Sequence, residues 1–137
     1  MIYESKVIFT MFDDAKGCDR VIRQRYIVGE AEHFTDAEAQ VFEHLTGETN
    51  LDVTDLKRSS IREIANTRTS EDERIWIAEL QDVFTNDEGE EIYTKYKLAF
   101  FATTFDNALA YITKYMQQGY SMELVSLKKS NFVEVIV

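Results

Sequence analysis

One twelve-residue phrase occurs twice in the chain, and it limits the folds open to it more than any other feature. Val53-Thr-Asp-Leu-Lys-Arg-Ser-Ser-Ile-Arg-Glu-Ile64 reappears as Leu124-Val-Ser-Leu-Lys-Lys-Ser-Asn-Phe-Val-Glu-Val135. Leu56, Lys57, Arg58, Ser59, Ile61, Glu63 and Ile64 answer to Leu127, Lys128, Lys129, Ser130, Phe132, Glu134 and Val135. The elements upstream of the phrase also recur in the same order, which is the mark of an internal repeat. The expectation is an α+β fold, internally duplicated, in which β-hairpin/helix/strand units form antiparallel sheet with two helices packed on it. Repeat one covers residues 1–64, a polar connection 65–74, and repeat two 75–137. Each repeat alone is short for an independent core, so the two are expected to share one pseudo-symmetric domain.

Local patterns fill in that outline. From Tyr3 to Met11, odd positions read Tyr, Ser, Val, Phe, Met while even ones include Glu4, Lys6 and Thr10, the period-2 signature of a half-buried strand. Asp13 to Gly17 makes a turn, since glycine takes a positive φ without steric cost, and a return strand runs roughly 21 to 28. The second half repeats this with Ile75 to Phe84, a turn through Gly89, and Ile92 to Phe101; Gly17 answers to Gly89, and Arg25-Tyr26 to Lys95-Tyr96. A helix starting at Thr35 with Glu38 three residues on has the form of a capping box, and Gly47 is placed to end it. Thr104 or Asp106 caps the second helix, and Gly119 ends it. Ser59-Ser60 and Ser130-Asn131 read as tight turns that divide each phrase into two short strands.

Charge narrows the function classes. The chain carries 25 acidic against 15 basic residues, a net charge of -10, so its average surface repels nucleic acid and anionic membrane. The acids are dispersed, which is the pattern of a solubilising face. Cys18 is the one cysteine and cannot form an intramolecular disulfide, which suits a reducing cytosol. The N-terminal residues lack the basic and apolar regions of a signal peptide, and no segment approaches the length of a membrane span. A cytoplasmic protein is expected.

Catalytic patterns are missing. His33 and His44 have no counterparts in the second half, as a duplicated metal site would require. Cys18 has no positioned base, and the five glycines at 17, 29, 47, 89 and 119 are isolated, so none forms a phosphate-cradling loop. The reading is no enzyme, no cofactor and no metal. The aromatics of the second hairpin, Trp76, Tyr93, Tyr96, Phe100 and Phe101, suit a core strand better than a base-stacking platform. The charge feature that recurs is basic: Lys57, Arg58 and Arg62 in the first phrase, Lys128 and Lys129 in the second. Paired cations at equivalent positions are the candidate ligand-binding residues for a phosphate-bearing ligand. Neighbouring residues on a strand point to opposite faces, so one cation of each pair faces any such site; pairing with Asp55, Glu63 and Glu134, or keeping an edge strand soluble, is the competing account.

Phe34-Thr35-x-Ala37-Glu38-Ala39, Val53-Thr-Asp-Leu-Lys-Arg58, and the closing helix with the Tyr120 to Leu127 strand and short tail also resemble an uncharacterised family. That family, a domain of unknown function, comprises small proteins of bacteriophages and prophage-like regions of Bacteroidetes, and the resemblance covers nearly the whole chain. It implies a phage-linked cytoplasmic protein and brings no activity, cofactor or catalytic residues. The leading expectation is a non-enzymatic protein that binds a host or phage protein through a sheet edge or acidic face. The alternative is a binder of an anionic ligand, either single-stranded nucleic acid or a signalling nucleotide held as an anti-defence sponge, through the repeated basic residues.

Overall fold

The first hairpin forms where the alternation predicts it: β1 (Tyr3–Asp13) and β2 (Cys18–Val28) pair antiparallel with Tyr3 opposite Val28 and Asp13 opposite Cys18. The protein is seen in a computed structural model that describes residues 1–118 and 122–137. Gly17 closes the turn at a φ of 64°, and Gly89 does the same for the second hairpin at 81°, both in the left-handed region that disfavours a side chain. After β2 come α1 (Phe34–His44), β3 (Thr49–Arg58) and β4 (Ile61–Ile64). The second series is β5 (Arg74–Thr85), β6 (Glu91–Ala102), α2 (Phe105–Met116), β7 (Met122–Lys129) and β8 (Phe132–Ile136). The result is an α+β fold.

The strands form two four-stranded sheets, ordered β3-β1-β2-β8 and β4-β6-β5-β7. The chain divides into two compact units that follow the sheets: unit 1 is residues 1–59 with 131–137, and unit 2 is residues 60–130. Both boundaries fall at the serine turns inside the repeated phrase. The first half of the chain therefore gives its last strand, β4, to unit 2, where it pairs parallel with β6. The second half gives β8 to unit 1, where it pairs parallel with β2. Everything else in each unit pairs antiparallel.

The two sheets share a register. Tyr3 lies opposite Val28 and Arg58, as Trp76 lies opposite Phe100 and Lys129. The β1/β3 ladder shifts between Lys6 and Val7; the β5/β7 ladder shifts between Glu79 and Leu80. The parallel pairs also match, with Arg25 opposite Phe132 and Lys97 opposite Ile61. By this register Arg25 and Tyr26 answer to Lys97 and Leu98. The Arg25-Tyr26 to Lys95-Tyr96 correspondence expected from sequence is two residues off; a slip of two keeps every side chain on its face, so alternation alone does not detect it.

Each unit has its own core between helix and sheet. In unit 1, Tyr3, Val7, Tyr26 and Val28 pack with Ala37 and Val41 of α1. In unit 2, Trp76, Leu80, Leu98 and Phe100 pack with Ala108 and Ile112 of α2. The first helical residue seals both cores at the same place, Phe34 edge-on to Tyr3 at 5.0 Å and Phe105 tilted against Trp76 at 6.0 Å. That contact also corrects the expected capping box: α1 begins at Phe34, its N-cap is His33, and no side chain caps it. The Asp36 carboxylate instead accepts from the Glu32 amide at 3.2 Å. In α2 the expected cap forms, with Thr104 Oγ1 accepting from the Asn107 amide at 3.2 Å. Gly47, at a φ of 99°, follows α1 as expected. Gly119 and Tyr120 lie outside the described residues.

Candidate functional site

A strand exposes alternate residues on opposite faces, so the sheet face of unit 1 turned away from α1 collects the even residues of β1. There the register sets Lys6 directly opposite Arg25, and Ile8 opposite Arg23. Lys6, Arg23 and Arg25 line a cavity of about 320 Å³ together with polar Gln24, Thr54 and Asn131 and apolar Val7, Ile8 and Val133. No carboxylate is among these lining residues. For a chain of net charge -10 this is an unusual concentration of positive charge.

Arg25 is held from three directions. Its Nη2 donates to Glu4 Oε1 at 3.0 Å in a partly buried ion pair, and its Nη1 donates to Asn131 Oδ1 at 2.5 Å. Its guanidinium lies 4.2 Å from the centre of the Phe132 ring, a cation–π contact. The other Glu4 oxygen accepts from the Ser59 hydroxyl at 2.7 Å, so both oxygens of that carboxylate are engaged. Arg25 Nε is buried without an acceptor. Two of the three groups that fix Arg25 come from the other half of the chain, Asn131 just before β8 and Phe132 as its first residue. Lys6 and Arg23 are exposed and make no ion pair among the described residues, although Asp55 lies opposite Lys6 on β3. A like-charge pair directly across a ladder is destabilising by itself. The face is thus electrostatically unfinished, with free donors suited to an anion.

The residues expected from sequence are elsewhere. Lys57 and Arg58 end β3 in unit 1, opposite Glu4 and Tyr3; Lys128 and Lys129 end β7 in unit 2, opposite Ile77 and Trp76. All four are exposed, and neighbours in each pair fall on opposite faces. Arg62, on β4 of unit 2, places its guanidinium 4.6 Å from the centre of the Tyr96 ring. None of these five lines the cavity. Sequence reasoning missed Lys6, Arg23 and Arg25 because it weighted the repeat. The available signal was the first turn: once Asp13 to Gly17 fixes the hairpin register, Lys6 and Arg25 become neighbours.

Other chemistry is less organised. Around Arg62 in unit 2, Tyr115 Oη donates to Glu63 Oε2 at 3.3 Å, and burial with the Glu63 carboxylate pushes its phenol up to about 12. Tyr96 donates to Met122 Sδ at 3.2 Å, and burial raises its pKa. Among the described residues no group of three metal-binding side chains occurs, and Cys18 is exposed at the start of β2. Of the second-hairpin aromatics, Trp76, Phe100 and Phe101 are buried and Tyr96 half-buried. Tyr93 is exposed, but its hydroxyl donates to Glu91 at 2.6 Å, and that carboxylate repels a phosphate backbone. The edge strands are blunted: β4 and β8 are short, while β3 and β7 carry register shifts and terminal cations. No described helix is long and apolar enough to cross a membrane.

A family model for a domain of unknown function, DUF4494, matches residues 1–137, so the chain belongs to that family. No curated protein matches the chain.

Proposed function

We propose that this DUF4494 member is a non-enzymatic binding protein whose unit 1 takes the phosphoryl group of a small molecule at Lys6, Arg23 and Arg25. The observation that carries the reading is the like-charge pair: Lys6 sits across from Arg25 beside a cavity with no lining carboxylate. An anion would relieve that repulsion and supply acceptors for the free donors, and several cations favour a doubly charged group over a single carboxylate. A cavity near 320 Å³ is at the small end of the ligand-pocket range of roughly 300–1,000 Å³. No aromatic ring lines it for base stacking, and the net charge of -10 opposes a long polyanion. Both points favour a small ligand over a nucleic-acid strand.

A phage-borne accessory role in a host cytoplasm, and an origin in Bacteroidetes phages or prophages, are part of the proposal and rest on the sequence resemblance. The common register of the two sheets supports reading the chain as an internal duplication. A protein partner is the second reading, favoured by exposed apolar residues at both hairpin ends: Met11, Phe12 and Val21 on one, Phe84, Ile92 and Tyr93 on the other.

Calorimetric titration of the full chain with pyrophosphate, a cyclic dinucleotide and an oligothymidylate tests the reading across a salt series. Saturable binding of pyrophosphate or the cyclic dinucleotide is expected, weakened by roughly tenfold or more in Arg23→Glu. The stronger of those two identifies the source of the phosphoryl group. Failure of all probes to bind, or tightest binding by the oligonucleotide, overturns it.

A further inference from the structure

We infer that the chain has one phosphoryl site and not two, and that the residue at a single strand position decides this: Lys6 in unit 1 admits the anion and Glu79 in unit 2 excludes it. The inference rests on the anion-binding reading of unit 1 and adds which residue makes that face selective. The common register makes the comparison possible residue by residue. Lys6, Arg23 and Arg25 correspond to Glu79, Lys95 and Lys97, and the pairings Lys6 to Arg25 and Ile8 to Arg23 become Glu79 to Lys97 and Gln81 to Lys95. Two of the three cations are therefore retained as cations.

The third is reversed, on a central strand of the sheet. In unit 2 an opposite-charge pair faces itself across the ladder, which is the stabilising arrangement. An incoming phosphoryl group would meet the Glu79 carboxylate where unit 1 offers an ammonium. The acids of unit 1 are placed differently: Glu4 has both oxygens engaged by Arg25 and Ser59, and Asp55 lies on the edge strand β3, opposite Lys6. Their counterparts in unit 2 are Ile77 and Ser126. The two faces thus hold similar totals of charge, and what differs is where the negative charge sits. Unit 1 keeps it at the edge or already paired; unit 2 keeps it in the middle of its cations.

Titration with pyrophosphate, read by calorimetry and by amide chemical shifts, tests this in the full-length protein. Wild type should bind about one equivalent, with shifts in β1 and β2 and none in β5 and β6. Lys6→Glu should weaken that site by roughly tenfold or more, and Lys6→Gln by less, with unchanged amide spectra in unit 2 showing that the variants fold. Glu79→Lys should gain a second, weaker equivalent with shifts in β5 and β6. Wild type binding nothing would remove the functional reading itself. Wild type binding in unit 1 with Lys6→Glu unaffected, or Glu79→Lys remaining at one equivalent, would leave that reading intact and overturn this inference.

Discussion

Unit 1 and unit 2 use one register for different ends. At matched core positions unit 2 holds Trp76, Ala78, Leu98 and Phe100 where unit 1 holds Tyr3, Ser5, Tyr26 and Val28. Unit 2 places side chains without polar atoms at three of these positions, Ala78, Leu98 and Phe100, and Phe100 stacks on Tyr111 at 4.8 Å. Unit 1 buries polar atoms instead: the Ser5 hydroxyl has no hydrogen-bond partner, and the Tyr26 phenol, its pKa raised by burial and by Glu48 and Glu134, donates to Gln24 at 2.6 Å. Its far face carries Lys6 and Arg23, which make no ion pair among the described residues. Local departures from good packing and pairing concentrate where proteins bind things, because a site keeps groups that stability alone would remove. Unit 2 is the unit of apolar packing; on the binding reading proposed above, recognition falls to unit 1.

The largest expected effect comes from the exchanged strands. Ending the chain after Ser130 removes β8 and with it Phe132 and Ile136, both buried, and the Asn131 and Phe132 contacts of Arg25. Unit 1 should lose hydrogen-exchange protection along β2 while the β5–β6 ladder of unit 2 stays protected. Equal loss in both units would mean that they do not differ in their dependence on β8. Next is the core itself. Phe100→Ala should cost about 3–5 kcal/mol and the matched Val28→Ala roughly 2 kcal/mol, the difference following the volume removed from sites that are fully buried in both units. Denaturant midpoints compare them; equal losses would show that unit 2 gains nothing from its larger side chains.

The smallest effect is alkaline. The Tyr115 phenol is pushed up to about 12 in the fold, by burial first and then by the Glu63 carboxylate, against an ordinary value near 10. Because the folded value is the higher one, its contribution is fully present below about pH 10, and is lost as pH rises toward 12. The melting temperature of wild type should therefore fall more between about pH 9 and about pH 11 than that of Tyr115→Phe. Parallel falls would place the alkaline sensitivity elsewhere, with Tyr26 in unit 1 the first candidate.

Much of this was open to sequence reading because its causes are local. Alternation drew both hairpins, Gly17 and Gly89 marked their turns, and the serine turns of the repeated phrase fell where β3 gives way to β4 and β7 to β8. The start of α1 was less legible, since the packing of Phe34 on Tyr3 outweighed the capping chemistry of Thr35. The basic repeat drew attention to Lys57 and Lys128 because like residues in like phrases stand out in a linear text. Lys6 and Arg25 share no phrase.

By itself, then, the sequence determined the elements and their order, which depend on neighbours a few residues apart, and the acidic balance and the repeated phrase, which composition and comparison of the two halves give directly. Only the tertiary structure decided that β4 and β8 change units, because parallel pairing of such short strands depends on partners far along the chain. It also decided which cations meet. Antiparallel register brings Lys6 and Arg25 together from opposite arms of a hairpin, and puts Glu79 beside Lys97 at the corresponding place.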